Sequence, residues 1–371
     1  MNSPAIPIQN IYYLLCYAWN KLDEGDVVDV SSLQNTELAD LFAKVLLNGT
    51  RHLIRRGLDR GYLEYAEERA TLRGKIAFAP SLRRNLFQHG RAHCEFDELD
   101  HNVLHNRILK TTIRKLINLK ELDRELKDGL SDMLRWLRQV DEVVISAPLF
   151  RRVQLHRNNH FYGFLRSVCE VIHENLLVDE RTGNSRFRDF LRDKKAMSRL
   201  FEAFVKNFYQ IEQKEFAVSA REIKWIATFP DEEARRYLPK MRTGIFLHQP
   251  GRMIVLDCKF YREALQYHHD KPKFKSSHLY QLHAYLSNRE IEPDGKNCEG
   301  ILLYPAVNYS LDLSFELRGH SVRIKTINLV QDWQLIRRDL LSLIECSQET
   351  SNLKTISSMS LAGEFTARET G

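Results

Sequence analysis

Asp257 and Lys259 are two charged residues in an otherwise apolar run that extends from Met253 to Tyr261. Charged side chains are rarely buried without a partner or a function. If the run forms a β-strand, side chains two residues apart project from the same face, so the carboxylate and the ammonium lie side by side. Phosphodiester hydrolysis uses such a pair, because Mg²⁺ binds carboxylate oxygens and a lysine can orient the attacking water or neutralise developing charge. A structural ion pair is the ordinary alternative, and the surrounding elements decide between the two.

A second acidic residue should face Asp257, because one carboxylate seldom holds a metal ion alone. Pro250-Gly251 marks a tight turn between two β-prone runs. If the hairpin is symmetric about that turn, the numbers of opposed residues sum to 501, and position 244 faces Asp257. Directly opposed residues in an antiparallel pair have Cβ atoms about 4.5 to 5.5 Å apart, close enough to share one ion. Position 244 is a glycine, which offers no ligand.

The elements that would position this hairpin follow the order α-β-β-β-α-β. Apolar residues at helical spacing predict a first helix at 197–208 and a second that begins near Ser276. The β-prone runs that predict the four strands lie at 222–228, 243–248, 252–261 and 300–304. Two further β-prone runs at 311–317 and 322–329 precede a final helix at 331–345. The order indicates a mixed α/β core that carries the two charged residues between two helices.

A basic helical hairpin is predicted in the first half of the chain. Apolar residues at three-to-four spacing lie on either side of a short polar segment at 120–124, which is typical of two antiparallel helices. Residues 101–160 contain 12 Lys or Arg against 7 Asp or Glu, nearly the whole surplus of positive charge. Such flanks fit a solvated helix pair, which is the commoner case, or an arm that contacts a partner or DNA. Before the hairpin, the pattern predicts a buried helix at 36–56 and β-prone pieces at 27–30 and 71–78.

Length and composition indicate two folded domains. A chain of 371 residues is long for one domain, and we place the boundary near position 158. The segment 347–371, rich in Ser, Thr and Glu, is expected to be disordered. With 55 Lys and Arg against 49 Asp and Glu, the net charge of +6 permits contact with nucleic acid but is below that of a histone-like binder.

Sequence motifs exclude several classes of protein. Six scattered cysteines form neither a Cys-x-x-Cys zinc pattern nor a disulfide framework, which favours a reducing compartment. The sequence shows no secretory signal and no apolar run near the roughly 20 residues that cross a bilayer. We therefore expect a cytoplasmic protein with no membrane contact. A Walker A motif and a Gly-x-Ser-x-Gly elbow are both absent, which excludes a P-loop nucleotide site and that class of serine hydrolase.

A series of short motifs, spread over about residues 4–345, carries a resemblance to a known family. The motifs are Ile6–Leu15 with Tyr17-Ala18-Trp19, Leu72–Ile76, Asn102–Lys110, Leu238–Met241, Val255–Tyr261 and Leu279–Leu282. Each is weak alone, but their order along one chain is specific. In these residues the chain resembles the McrC family, the nuclease subunits of McrBC modification-dependent restriction systems, within the PD-(D/E)xK superfamily. The resemblance implies a β-rich N-terminal domain with a helical finger at 1–157 and a restriction-endonuclease-like αβββαβ core at 158–346.

The resemblance also assigns roles at the charged hairpin. It implies that Asp257 is a metal ligand and Lys259 the catalytic lysine. In the family, the motif after Leu-Pro-x-Met reads Thr-Asp-Ile, and its aspartate is another metal ligand. This sequence reads Thr243-Gly244-Ile245, so the ligand is lost at the position that the hairpin register selects. We therefore expect weak Mg²⁺ binding and greatly reduced cleavage.

Two residues on the flanking helices could support such a site. Related nucleases often place an acidic residue on the helix before the sheet, where this chain has Glu202; a solvent-facing glutamate fits that position equally well. A glutamine on the following helix supports the site in the superfamily, which makes Gln281 a candidate. Tyr285 shares its helix face and fits simple packing. Asp231, although preceded by proline, fits a solvated turn better than a ligand.

The resemblance finally implies partners. The family acts with McrB, a hexameric AAA+ GTPase that recognises methylated double-stranded DNA and binds the GTP. A helical finger of the nuclease subunit enters the pore of that hexamer, and the basic hairpin is our candidate for it. The arginines to test there are Arg135, Arg138, Arg151, Arg152 and Arg157. Two functions stay open: a cleavage-impaired, Mg²⁺-dependent endonuclease subunit that stimulates the GTPase, or a non-catalytic activator and DNA-binding adapter.

Overall fold

The computed structural model describes most of the chain up to position 345. The described residues are 6–28, 30, 37–156, 159–178, 185–225, 236–260, 265–268, 271–289, 298–306 and 310–345. The segment 347–371 and residues Arg157 and Asp231 lie outside them.

The N-terminal half is mainly helical. Its helices are α1 (Ile8–Ala18), α2 (Leu22–Gly25), α3 (Leu38–Arg56), α4 (Phe78–Arg83), α5 (Leu104–Ile117), α6 (Arg124–Trp136) and α7 (Ala147–Arg151). Its strands are β1 (Gly61–Arg69), β2 (Lys75–Ile76) and β3 (Ala92–Asp100). The expected β-rich domain is therefore wrong. The piece predicted at 71–78 contributes only the two residues of β2, whereas the long strands β1 and β3 contain several glutamates and aspartates and lack a continuous β-prone run.

Residues 61–100, which we call the arm, form a unit with its own small core. The three strands pair in the order β1-β3-β2, and α4 with a 3₁₀ turn lies between β2 and β3. Ala92, Cys94 and Phe96 are its buried apolar residues, with Tyr65 and Ile76 packed against them. This cluster is separate from the larger cores of the molecule. The arm therefore holds its shape through contacts among its own residues.

The base of the arm is fixed by Asp59, two residues before β1. Its Oδ2 lies 2.9 Å from His105 Nε2 on α5 and accepts a hydrogen bond from Asn159 Nδ2 at 2.8 Å. Its carbonyl accepts from Asn106 Nδ2 at 3.0 Å, and its N–H donates to Tyr162 OH at 3.1 Å. Asn106 also donates to the carbonyl of His101, the residue after β3. Both ends of the arm are thus tied to the helices beneath it.

The predicted helical hairpin is confirmed as α5 and α6, but it is not an extended finger. Its helix α6 packs against α3 and α5, and α5 also packs against α8 (Phe161–Asn175). The apolar stripe of α6 is buried in the same core cluster as α3. Because α3 already covers this stripe, the hairpin is part of the helical body. The four described arginines of the candidate finger, Arg135, Arg138, Arg151 and Arg152, are exposed.

The helix α8 continues the N-terminal core beyond position 158. Its buried residues belong to a cluster that runs from Ile11 to Met197. After α8 come β4 (Leu176–Val178), β5 (Ser185–Phe187) and a 3₁₀ turn at Phe190–Arg192. The domain boundary near 158 stays a prediction.

The C-terminal half is built on a six-stranded sheet in the order β14-β15-β13-β10-β9-β6. Its strands are β6 (Ala217–Ser219), β9 (Ile245–Gln249), β10 (Arg252–Cys258), β13 (Cys298–Ala306), β14 (Asp312–Leu317) and β15 (His320–Asn328). Its helices are α9 (Lys194–Glu212), α10 (Ser276–Ser287) and α11 (Trp333–Ser342). Two separate ribbons complete the half: β7 (Glu222–Ile223) with β8 (Met241–Arg242), and β11 (Leu265–His268) with β12 (Lys271–Phe274). Strands β10, β13 and β15 are parallel neighbours, and β9 is antiparallel to β10.

Among the strands of the large sheet and their helices, with the two ribbons set aside, the order α-β-β-β-α-β is as predicted, with one change of strand. The first strand of the sheet is β6, not the run predicted at 222–228, whose described part forms the short ribbon strand β7. Three residues of β6 are too few for a pattern to reveal. The turn at Pro250-Gly251 is where predicted, and Gly251 adopts φ +77°, which glycine tolerates best.

The sheet lies between helices on both faces. On one face, α9, α11 and α1 bury apolar residues against alternate positions of the central strands. On the other face, α10 packs on the intervening positions. Gly300 in β13 allows this approach, since a Cβ there would lie 2.9 Å from Leu282 Cδ2. No helix among the described residues is both long and apolar enough to cross a membrane.

Candidate active site

The hairpin of β9 and β10 has the predicted register. Its paired residues run from Arg252 with Gln249 to Leu256 with Ile245, and each pair sums to 501. Asp257 and Gly244 follow just past the last of these pairs. Sequence symmetry about the turn therefore located the neighbourhood of Asp257 correctly.

Asp257 is buried at the end of a central strand. It is 7% exposed, and Oδ2 lies 2.9 Å from Lys259 Nζ. The lysine follows the end of β10, and its backbone N–H donates to the carbonyl of Leu303 on β13 at 2.9 Å. Oδ2 is buried and accepts no hydrogen bond of good geometry. Burial raises the pKa of the Asp257 carboxyl, and the nearby Lys259 ammonium opposes that rise. In the structure the Asp257 carboxylate therefore has one cationic neighbour, the Lys259 ammonium at Oδ2.

Glu202 occupies the space in front of Gly244. A Cβ atom at Gly244 would lie 2.5 Å from Glu202 Oε1 and 3.0 Å from its Cδ. Burial raises the pKa of Glu202, and the charge of Asp257 raises it further. Glu202 is half-buried, and its carboxylate reaches from α9 to the place where an aspartate side chain at position 244 would start.

A chain of hydrogen bonds holds Lys259 from the opposite side. Its Nζ donates to Gln281 Oε1 at 2.8 Å, and Gln281 Nε2 donates to Tyr285 OH at 2.6 Å. Tyr285 OH in turn donates to the carbonyl of Arg242 at 2.9 Å. Gln281 thus lies in the candidate site as expected. Tyr285, for which packing was the simple interpretation, also orients Gln281; spacing of four on α10 was the one sequence signal for this link.

His278 lies close to Lys259 but is held neutral. It is buried, and its Nδ1 lies 2.9 Å from Tyr304 OH. Burial, together with the charges of Lys259 and Lys275, lowers the pKa of His278 to about 4. Its position agrees with a packing role.

Acid should destabilise the protein partly through His278. Its folded-state pKa of about 4 lies below the ordinary value near 6.5, so unfolding takes up a proton between these pH values. Above about pH 6.5, His278 is neutral in both the folded and the unfolded chain and does not destabilise the fold. As pH falls toward about 4, the unfolded chain gains a proton that the folded chain does not, and stability is lost. Relative to His278→Asn, we expect the free energy of unfolding to fall by about 3 kcal/mol between neutral pH and pH 4, measured by urea titration. Parallel curves for the two proteins would contradict this.

The finger arginines lie elsewhere. Arg135 is 3.4 Å from Asp132 on α6, and none of the four described arginines pairs with a residue of the candidate site. The site therefore contains Asp257, Lys259, Glu202 and Gln281 from the sequence-based set, together with the glycine gap at 244.

Two carboxylates converge at this point. Mg²⁺ in proteins is commonly held by one or two carboxylates together with substrate phosphate and water. Within the described part of the chain, no group of three or more His, Cys, Asp and Glu side chains has the arrangement of a metal site. The carboxylates of Asp257 and Glu202 have the chemistry that a hard cation prefers, and Gly244 offers no side-chain ligand.

The chain is similar to known proteins along most of its length. The family model described as "McrBC 5-methylcytosine restriction system component" matches residues 9–305. The type IV methyl-directed restriction enzyme EcoKMcrBC of Escherichia coli (strain K12) is 31% identical over 345 residues, which are 93% of this chain and 99% of that protein. Among solved structures, a half-complex from a tetradecameric assembly of Thermococcus gammatolerans McrB AAA+ hexamers with bound McrC matches with a TM-score of 0.57 and 17% identity. The match covers 91% of this chain and 76% of that chain and concerns the fold.

Proposed function

We propose that this chain, which belongs to the McrBC 5-methylcytosine restriction family, is the endonuclease subunit of a complex that cleaves methylated double-stranded DNA. Its partner is an McrB-like hexameric AAA+ GTPase, which binds the GTP. The observation that carries the nuclease assignment is the site at the end of β10, where Asp257, Lys259 and Glu202 meet on a sheet of αβββαβ order. This arrangement supports a PD-(D/E)xK nuclease core.

Each residue of the candidate site has a separate role in the proposed hydrolysis. Asp257 and Glu202 would hold Mg²⁺, which when bound polarises the scissile phosphate and lowers the pKa of the attacking water. Lys259 places its ammonium beside the carboxylate of Asp257, where it orients that water or offsets charge that develops on the phosphate. Gln281 fixes the ammonium through a 2.8 Å hydrogen bond, and Tyr285 fixes Gln281.

We expect this chain to cleave slowly. Gly244 provides no ligand, and among the described residues the carboxylate nearest to the gap, that of Glu202, comes from a different element, α9. The same feature favours a second candidate function, a non-catalytic activator and DNA-binding adapter of the GTPase. The first candidate function predicts residual cleavage that requires Asp257. The second predicts no cleavage by this chain.

One experiment tests the proposed function. The chain is mixed with an McrB-type GTPase, GTP, Mg²⁺ and duplex DNA that carries or lacks 5-methylcytosine. We expect slow cleavage that requires methylation, Mg²⁺ and GTP. Stimulated GTP hydrolysis without any cleavage would support the adapter, and neither activity would contradict both functions.

We further propose that the arm, not the α5–α6 hairpin, docks on the GTPase. Several apolar side chains of the arm are exposed: Tyr62, Leu72, Phe78, Leu82, Phe87 and Leu99. Phe78 and Leu82 lie one turn apart on α4 and are 63% and 66% exposed. Exposed apolar groups with basic neighbours such as Arg83 and Arg84 are typical of protein interfaces. The separate core of the arm and its fixed base allow it to enter a partner as one body.

The variant Leu82→Asp should weaken stimulation of the GTPase by tenfold or more, because it places a charge in the proposed contact. The matched control is Val144→Asp, which puts the same charge at an apolar residue that is 89% exposed outside the arm. GTP hydrolysis is measured over a range of subunit concentrations. If both variants stimulate normally while Arg135→Ala with Arg138→Ala does not, the hairpin rather than the arm is the docking element.

A further inference from the structure

Between Leu41 and Leu53, the residues of α3 that reach solvent all carry a side-chain nitrogen. Between Leu41 and Leu53, all but four residues of this helix are buried. The four are Lys44, Asn48, Arg51 and His52, and Arg55 continues the strip one turn later. They line a groove of about 390 Å³. A helix that is buried on nearly every side thus opens to solvent along one basic row.

The cations of this row lack acidic partners. No ion pair within the described residues involves Lys44, Arg51 or Arg55, although many other surface arginines pair closely, as Arg114 does with Glu142 at 2.7 Å. Solvated helix faces usually carry charges of both signs at spacings of three and four. His52 also lines the groove, and its ring centroid lies 4.7 Å from that of Phe161 on α8. The row therefore lies on side chains that are packed against the helical core. Three unpaired cations on a rigid support form a positive surface for a polyanion.

The spacing of the row suits a nucleic-acid backbone. Positions 44, 48, 51 and 55 recur at helical intervals on one face and span about 16 Å along the axis. Successive phosphates of one DNA strand advance about 3.4 Å along the duplex, so the row spans about five of them. An acidic protein surface would match the sign of the charge, but the regular row fits a regular line of phosphates better.

We propose that the α3 row of Lys44, Arg51 and Arg55, with Asn48 between them, binds the phosphate backbone of double-stranded DNA. This inference rests on the proposed function, because it takes DNA as the substrate, and it adds a contact outside the active site. Backbone contact of this kind is independent of sequence and of methylation. It holds the duplex against the helical half while the candidate site acts on the same molecule.

Binding of the full chain to duplex DNA is measured at several salt concentrations, without Mg²⁺, GTP or the GTPase. Each neutralised phosphate contributes about 0.9 to the slope of log K against log salt. The variant Lys44→Gln/Arg51→Gln/Arg55→Gln should therefore lower the slope by about 2 to 3 and weaken binding at low salt. The control Lys120→Gln/Lys214→Gln/Lys224→Gln removes the same charge from scattered exposed lysines and should change the slope little.

A further variant controls for loss of folding. Arg51→Lys/Arg55→Lys keeps the charge and should keep the slope, which separates electrostatic contact from loss of folding. The assay contains no Mg²⁺ and measures binding alone, so failure of the nuclease assignment leaves this test intact. An unchanged slope in the α3 triple variant, or an equal loss in the lysine control, overturns the proposal. A normal slope with weakened GTPase stimulation overturns it in favour of an acidic protein surface.

Discussion

Replacement of Asp257 by asparagine should reduce DNA cleavage at least a thousandfold. The substitution keeps the shape of the side chain but removes the anionic oxygens that would hold the metal ion. A thousandfold loss corresponds to about 4 kcal/mol of transition-state stabilisation, a magnitude that loss of a metal-ion contribution can explain. Cleavage of methylated duplex DNA is measured with the GTPase, GTP and saturating Mg²⁺.

The matched control is Asp312→Asn. Asp312 also pairs with a lysine of the large sheet, Lys325, but it is an exposed residue of the outer strand β14. The Asp312→Asn variant should cleave DNA at the rate of the unmodified chain. Stimulation of GTP hydrolysis should stay normal in both variants, which shows that the chain is folded and bound. Parental cleavage by Asp257→Asn would mean that Asp257 and Lys259 form a structural ion pair.

Introduction of aspartate at position 244 should accelerate cleavage by tenfold to a hundredfold. The new carboxylate would add the ligand that the hairpin lacks beside Asp257. It also crowds Glu202, whose Oε1 would be 2.5 Å from the new Cβ. That atom is the end of a flexible side chain, so it can turn aside at small cost. Single-turnover cleavage at several Mg²⁺ concentrations should show both a faster rate and tighter metal dependence.

Two variants distinguish charge from crowding at position 244. Gly244→Asn introduces the same bulk without the anion and should not accelerate cleavage. Glu202→Gln should abolish the residual activity of the parent chain but reduce that of Gly244→Asp much less, because the second ligand then lies on the hairpin. If the parent cleaves as fast as Gly244→Asp, the assignment of a lost ligand to Gly244 is wrong.

The sequence predicted the hairpin well because its determinants are local. A Pro-Gly turn fixes the register, and alternation of residues fixes which side chains share a face. The orientation of Glu202 could not be read in this way. On an amphipathic helix its position fits the edge of the buried face, and only the absence of a Cβ at Gly244 makes room for its carboxylate.

Local sequence features did not predict the strands of the arm. Its strands β1 and β3 pair over nine residues, yet their sequences are rich in glutamate and aspartate, which are poor strand formers. Cross-strand packing around Phe96, with the guanidinium groups of Arg69 and Arg73 at 5.2 and 4.8 Å from its ring, overrides that preference. This charged composition gave no sequence signal for the strands β1 and β3, and the helical hairpin stays the sequence-based candidate for the finger.

The helix α9 touches both halves of the molecule. Asn207 on this helix donates to the carbonyls of Tyr17 and Ala18 at the end of α1, at 2.9 and 3.0 Å, and Glu202 lies five residues earlier on the same helix. Two ligands on one hairpin would keep a constant separation whatever the rest of the chain did. In this chain the two carboxylates lie on different elements, Asp257 on β10 and Glu202 on α9, and the packing of α9 on the central strands of the sheet holds them together.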